Sequence, residues 1–300
     1  TGATSAKDCT DCPPGYYCAG SNLPTPTGKC MEGYYCTGGS NTSRQFIVPR
    51  GYFSLEGSAN PAPCLPGYYQ SEPGMAYCYI CPAGYFVQKF NATGYRDNPC
   101  PLGLYCPEGT SEGGYPCPAG TFGNRLKLVS ADNCTKCDEG RYCDEVGSTA
   151  ATQKKCAAGF WCGRGSSRAR PINQYDAGGR LNGDLCPPGH YCPYGDGANP
   201  RPCELGEYFP GLGNPGANIT MNITRNCSAC PPGYACDRLG LNTSMLMPEN
   251  RNHSLCQAGY FCKSGSPSKT PTLGGYGREN CDAVENFRFC DYGPCPKGYE

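Results

Sequence analysis

Short aromatic pairs set directly after a glycine recur along this chain, as in Gly15-Tyr-Tyr, Gly33-Tyr-Tyr, Gly67-Tyr-Tyr, Gly84-Tyr-Phe and Gly259-Tyr-Phe. Between the pairs the sequence is polar and broken by proline and glycine. Glycine supplies turn geometry, and a Tyr-Tyr or Tyr-Phe pair suits a strand. The pattern predicts turns joined to two-stranded β-ribbons, with almost no helix. The pairs sit in a recurring frame, Cys-x-x-Gly-Tyr-x-Cys, which reads Cys12 to Cys18, Cys30 to Cys36 and Cys256 to Cys262. Looser copies run from Cys100 to Cys106, Cys137 to Cys143, Cys156 to Cys162, Cys186 to Cys192 and Cys230 to Cys236. The fold class expected is an elongated array of small disulfide-rich repeats.

Composition reinforces this reading. The 300 residues include 27 Cys, 43 Gly and 30 Pro. Leu, Ile and Val are too few for a sizeable apolar core, so cross-links must supply what burial cannot. A disulfide closing a loop of about 15 residues contributes roughly 3 kcal/mol by restricting the unfolded chain. So many cysteines imply folding in an oxidising, secretory compartment. Asn-x-Ser/Thr sequons point the same way, at Asn41, Asn91, Asn133, Asn218, Asn222, Asn226, Asn242 and Asn252. Chance would give roughly two such sites, so N-linked glycans are expected. Asn133 and Asn226 each precede a cysteine whose closure competes with their modification. Ser21-Asn-Leu-Pro-Thr-Pro-Thr and Ser266-Pro-Ser-Lys-Thr-Pro-Thr read as extended loops suited to O-linked glycans. The 25 basic and 25 acidic residues cancel, which argues against nucleic acid or an anionic membrane as partner. No apolar run approaches the roughly 20 residues of a membrane span.

The cysteines group most economically into fours, which suggests modules over residues 1–53, 54–99, 100–136, 137–185, 186–229, 230–275 and a partial one over 276–300. The second of these is degenerate, because Val87 stands where the frame expects a cysteine. Softer joints are expected at 37–53 and 163–185. Four cysteines permit three pairings. The expectation is crossed pairing within each set: Cys12–Cys30 with Cys18–Cys36, Cys100–Cys117 with Cys106–Cys134, and Cys137–Cys156 with Cys143–Cys162. Cys186–Cys203 with Cys192–Cys227 and Cys230–Cys256 with Cys236–Cys262 follow the same order. Cys64–Cys78 completes the scheme, leaving Cys9, Cys81, Cys281, Cys290 and Cys295 unassigned or intermolecular. The rival scheme joins Cys117 to Cys134 and Cys203 to Cys227 but leaves the opening pair of each set without partners. The short Cys-x-x-Cys steps, Cys134/Cys137 and Cys227/Cys230, would make stiff joints.

Cys-Pro-x-Gly-x-Tyr followed by Cys-x-x-Cys resembles the ephrin-receptor-like cysteine-rich repeats, similar in style to EGF-like and tumour-necrosis-factor-receptor modules. The matching stretches are Cys64-Leu-Pro-Gly-Tyr-Tyr through Cys81-Pro-Ala-Gly-Tyr-Phe, and Cys186-Pro-Pro-Gly-His-Tyr-Cys192. The resemblance implies an extracellular protein more than any particular task.

Chemistry-bearing residues are sparse. The Cys-x-x-Cys pairs have zinc-ligand spacing, but flanking Pro and Gly and the regular cysteine frame favour disulfides. No strand-helix pattern surrounds them to support a redox motif. His190 stands within a module frame and His253 within a sequon, neither beside a nucleophile and carboxylate. Asp282, Glu285 and Asn286 lack the frame of a calcium site. Arg164, Arg168 and Arg170 line a loop that could meet a sulfated sugar. No catalytic residue, metal or cofactor is expected.

Twenty-seven is odd, so at least one thiol lacks a partner within this segment. Cys9 occupies the place of a module's last cysteine, and Cys295-Pro-Lys-Gly-Tyr opens a module. Those ends suit either a segment cut from a longer array or subunits joined end to end, the latter being the homopolymer expected as partner. The sequence thus points to a non-enzymatic structural glycoprotein, extracellular or at the cell surface via the secretory pathway, assembling into a filament or appendage. A ligand-binding or adhesive receptor ectodomain or stalk is the alternative.

Overall fold

The computed structural model describes residues 9–294 apart from 177, 196, 198, 217–225, 243–254, 259 and 272–291. They form two compact units. One holds the residues up to Thr135 together with Val146–Ala150, and the other holds Lys136–Glu145 and the residues from Ala151 onward. Each is built from short antiparallel ribbons such as Tyr16–Tyr17 with Gly28–Lys29 and Tyr34–Tyr35 with Phe46–Ile47. The second unit adds a three-stranded sheet in which Leu181–Leu185 lies between Phe160–Cys162 and Gln174–Tyr175. One turn of 3-10 helix, Ala131–Asn133, is the helical element among the described residues. No helix there is long and apolar enough to cross a membrane.

The recurring unit is smaller than a four-cysteine set. It is one Cys-x-x-Gly turn with the ribbon that follows. Units open at Cys12, Cys30, Val48, Cys64, Cys81, Cys100 and Cys117, then at Cys137, Cys156, Cys186, Cys203, Cys230 and Cys256. The glycine three residues on adopts positive φ from Gly15 at +82° to Gly233 at +84°. That conformation reverses the chain and launches the aromatic pair into a strand. The fifth residue after every opening but Cys230, where Ala235 stands, is aromatic, from Tyr17 through Trp161 to Tyr208. It pairs with the residue two places before the next opening, as Tyr35 does with Phe46 and Tyr69 with Tyr79. Both pairs also make ring contacts, with centroids 5.4 and 5.8 Å apart.

The turn also settles the disulfides, and it overturns the crossed scheme. In place of Cys12–Cys30 and Cys18–Cys36, Cys12 bonds Cys18 and Cys30 bonds Cys36. In place of Cys100–Cys117 and Cys106–Cys134 stand Cys100–Cys106 and Cys117–Cys134. Cys137–Cys156 and Cys143–Cys162 give way to Cys137–Cys143 and Cys156–Cys162. Cys186–Cys203 and Cys192–Cys227 give way to Cys186–Cys192 and Cys203–Cys227. Cys230–Cys256 and Cys236–Cys262 give way to Cys230–Cys236 and Cys256–Cys262. Cys64 bonds Cys78. The reason is geometric. The glycine turn folds the sixth residue back over the first, with Cα atoms 5.9 Å apart in Cys12–Cys18 and 6.0 Å in Cys256–Cys262, inside disulfide range. The opening pair is therefore closed on itself, not left without partners.

Cysteines make up most of the buried hydrophobic residues, joined by Val48, Val87, Leu128 and Leu241. Where the sixth position is not cysteine, other chemistry fills it. Val48 and Ser54 are both buried, and Ser54 Oγ donates to the Tyr34 carbonyl at 2.9 Å. Gln70 is buried with Nε2 donating to the Tyr77 carbonyl at 2.7 Å and Oε1 accepting from Glu72 N–H at 3.0 Å, so its polar atoms are satisfied.

Candidate functional site: the joint between repeats

Within each unit, a recurring set of four backbone hydrogen bonds joins one repeat to the next, illustrated by those opening at Cys30 and Val48. Val48 N–H donates to the Gly33 carbonyl at 3.1 Å, and Gly33 N–H donates to the Ser54 carbonyl at 3.0 Å. Cys36 N–H donates to the Ser58 carbonyl at 3.1 Å, and Gly57 N–H donates to the Cys30 carbonyl at 2.8 Å. The same set recurs in the second unit. Cys203 N–H reaches Gly189, Gly189 N–H reaches Phe209, Cys192 N–H reaches Asn214 and Gly213 N–H reaches Cys186, all at 2.8 to 2.9 Å. The Val48 repeat has no cysteine and makes the full set, so the joint belongs to the backbone and the disulfides lock each turn within it.

A second turn completes each joint. Gly57, Gly74, Gly109, Gly147, Gly213 and Gly240 occupy it at positive φ, and Asn91 (+50°) and Lys127 (+64°) take the same place. At two joints the residue just after this turn is a leucine packed against the aromatic of the repeat before. Leu128 is 3% exposed, clustered with Cys117, Cys134 and Tyr105, and Leu241 is 2% exposed, clustered with Cys230, Cys236, Tyr208 and Tyr234.

A second rule governs the cysteines. An opening cysteine bonds either the cysteine six residues on or, where that is absent, the cysteine three residues before the next opening. Cys64–Cys78, Cys117–Cys134 and Cys203–Cys227 follow the second course, because Gln70, Gly123 and Phe209 stand at the sixth position. The two halves of each Cys-x-x-Cys step therefore belong to different bonds: Cys134 to Cys117, Cys137 to Cys143, Cys227 to Cys203 and Cys230 to Cys236. Cys81 has Val87 at one possible partner position and Asp97 at the other. It is a buried free thiol, and burial pushes its pKa up to about 11. Cys9 is free and exposed. Cys281, Cys290 and Cys295 lie outside the described residues.

The repeats opening at Cys64 and Cys81, which hold one disulfide between them, carry a group of tyrosines. The Tyr95 ring lies 4.9 Å from Tyr69 and 5.0 Å from Tyr85, centroid to centroid, and Tyr77 meets Tyr79 edge-on at 5.2 Å. Lys127 Nζ stands 4.8 Å over the Tyr85 ring. The Tyr69 hydroxyl pKa is raised, first by burial and then by Tyr95, and that of Tyr79 is raised by its hydrogen bond to Tyr77.

Of the sequon asparagines, Asn41, Asn91 and Asn226 are exposed, and Asn133 and Asn242 are half-buried. Asn91 Nδ2 donates to the Tyr52 hydroxyl at 3.0 Å. Asn133 Oδ1 accepts from the Ser130 N–H and hydroxyl at 3.2 and 3.0 Å. The Asn226 carbonyl accepts from buried Asn214 Nδ2 at 3.3 Å. Asn218, Asn222 and Asn252 lie outside the described residues. His190 sits in a ribbon with Nδ1 donating to the Pro188 carbonyl at 3.0 Å. Arg164, Arg168 and Arg170 are exposed. His253, Asp282, Glu285 and Asn286 lie outside the described residues. No group of three or more His, Cys, Asp or Glu converges as a metal site among the described residues. Sequence reading missed Leu128 and Leu241, because their role appears only once one glycine turn with its ribbon, not a set of four cysteines, is taken as the unit.

No family model matches the chain. Mouse thyroglobulin is 31% identical over 123 residues, which cover 38% of this chain and 4% of thyroglobulin. Rat thyroglobulin is 31% identical over 103 residues, 32% of this chain and 4% of that protein. The chain thus spans a small fraction of these relatives, and the likeness is distant and partial. It is a cysteine-rich, disulfide-stapled repeat protein suited to an oxidising compartment.

Proposed function

We propose that this chain is a non-enzymatic structural glycoprotein of the cell exterior, whose repeats stack end to end into a filament or surface appendage. The observation that carries the reading is the joint itself. Within each unit, repeat after repeat offers the next the same four backbone hydrogen bonds, as at Cys12/Cys30, Cys81/Cys100 and Cys203/Cys230, and the set is complete even at Val48, where no cysteine contributes. An interface of that kind is heterologous, and a heterologous interface that does not close generates a filament. Exposed Asn41 and Asn91 are open to glycans.

Electron microscopy of protein from its natural source tests the proposal, with non-reducing gels alongside. Regular fibres, and a ladder of species that collapses to one band on reduction, are the expected result. Isolated particles carrying other domains, with one band under both conditions, would reject the filament in favour of a receptor ectodomain or stalk.

A further inference from the structure

The first described repeat, opening at Cys12, presents on one edge every group that other repeats use to receive a predecessor. Elsewhere the opening N–H donates to the preceding glycine carbonyl, as Cys30 does to Gly15, and the second-turn N–H donates to the preceding opening carbonyl, as Gly39 does to Cys12. The sixth residue's carbonyl and the carbonyl after the second turn accept, as Cys36 does from Gly15 and Ser40 from Cys18. The corresponding groups of the first repeat are Cys12 N–H, Asn22 N–H, Cys18 C=O and Leu23 C=O. None meets a backbone partner among the described residues. Asn22 already holds the required turn, at φ +62°.

The side chains tell the same story independently. Leu23 is 43% exposed, while leucines at the equivalent place, Leu128 and Leu241, are 3% and 2% exposed under Tyr105 and Tyr208 of the repeat before. Cys18 is partly exposed, whereas its counterparts Cys36, Cys106, Cys143, Cys162, Cys192 and Cys236 are buried. Cys9 stands three residues before the opening, where Cys78, Cys134 and Cys227 each bond the opening cysteine of the preceding repeat.

We propose that the edge formed by Cys9, Cys12, Cys18, Asn22 and Leu23 is a docking surface for another Cys-x-x-Gly-x-aromatic repeat, one with no cysteine six residues after its opening cysteine. The incoming repeat supplies the glycine and opening carbonyls as acceptors and the glycine and sixth-position N–H groups as donors. Its aromatic covers Leu23, as Tyr105 covers Leu128. Its opening cysteine bonds Cys9: two thiols become one disulfide, and two electrons and two protons pass to the thiol-oxidising disulfide relay of the secretory compartment. The surface exists whether or not the protein forms filaments, since the partner repeat is defined by its own chemistry.

Non-reduced protein from the natural source, alkylated and digested, is to be mapped by mass spectrometry. The expected product joins the Cys9 peptide to a peptide containing Cys-x-x-Gly-x-aromatic with no cysteine at the sixth position. Such a peptide from a different stretch of polypeptide sustains the surface; a Cys81 peptide of a second copy overturns it, because Cys81 is buried and its repeat already receives the one opening at Cys100. Alkylated Cys9, or Cys9 bonded to a sixth-position cysteine, overturns it. Amide hydrogen exchange on the same protein gives a second reading that needs no covalent bond. Cys12 and Asn22 should be protected to within about tenfold of Cys30 and Gly39, and exchange roughly a hundredfold faster than those two would overturn the docking.

Discussion

Gly67 faces the carbonyl oxygen of Gly109, two repeats further along the chain, so closely that a β-carbon on Gly67 would stand 2.5 Å from it. Gly67 also holds φ at +87°. Two penalties therefore coincide: an L-residue in the left-handed region costs roughly 1–2 kcal/mol, and a backbone oxygen cannot swing aside as a side chain can. Gly67→Ala should lower the thermal midpoint markedly and reduce secreted yield. Gly94→Ala, with nothing within 4 Å of its β-carbon, is the matched control and should leave both within error. Differential scanning calorimetry of the two variants checks this.

Cys81 should behave as a silent thiol. With its pKa near 11, only about one molecule in a thousand carries the thiolate at pH 8, and the side chain is buried as well. Iodoacetamide should leave it unlabelled in the native protein at pH 8 and label it promptly in guanidinium. The labelling rate should climb about tenfold per pH unit until pH approaches 11. Val87→Cys places a thiol at the sixth position and should close a disulfide onto Cys81, abolishing the denaturant-dependent label. A persistent label in that variant would show that the turn at Gly84 does not bring these positions together.

The closures should differ in strength. Cys117–Cys134 spans 17 residues and Cys100–Cys106 spans 6. Loop entropy gives about 3 kcal/mol for the longer and about 2 kcal/mol for the shorter. The double variant Cys117→Ser, Cys134→Ser should therefore be the less stable of the two double variants, further weakened because both sulfurs pack on Leu128. Guanidinium titrations of the two double variants, compared by midpoint, read the order directly.

Much of this was legible beforehand, and the failures are instructive. Glycine followed by an aromatic pair encodes a reversal and a strand locally, so the ribbons at Tyr34–Tyr35 and Tyr68–Tyr69 follow from three or four residues. Apart from Cys64–Cys78, the disulfides did not follow, because counting cysteines in fours hides repeats that lack one. Val48 opens a repeat without sulfur, and Gln70 and Val87 break the frame in the two repeats that open at Cys64 and Cys81. What those positions share is a backbone role, carried by Gly51, Gly67 and Gly84, and hydrogen bonds between residues far apart in sequence leave no mark on cysteine spacing. The tyrosine group around Tyr95 was hidden for the same reason, since its members come from different repeats.

Asp144 and Glu145 both accept from Lys154 Nζ, at 2.7 and 2.9 Å. The lysine hydrogen bond holds the Asp144 carboxyl below its usual range. A carboxylate whose folded pKa is depressed stabilises above its unfolded value, near 3.8, and loses that contribution as pH falls through the lower folded value. The contribution should be small, because the groups are solvent-accessible and screened by salt. Lys154→Ala should return the Asp144 titration toward the ordinary carboxylate midpoint, with little change in melting at pH 7. Carboxyl-carbon NMR titration between pH 2 and 6 measures the shift. An unchanged Asp144 midpoint in the variant would mean that the ion pair does not persist in solution.

Leucines after the second turn should be the most sensitive apolar positions in each unit. Leu128 and Leu241 are enclosed by cystine sulfur and tyrosine rings, and truncation leaves a cavity that rigid cross-linked neighbours cannot close. Leu128→Ala and Leu241→Ala should each cost about 2–4 kcal/mol. Leu55, exposed just ahead of the second turn of the Val48 repeat, should tolerate alanine at well under about 1 kcal/mol. The comparison separates packing from cross-linking, because all three substitutions keep every cysteine in place. Were Leu128→Ala as mild as Leu55→Ala by guanidinium titration, stacking of one repeat on the next would rest on sulfur and backbone hydrogen bonds alone.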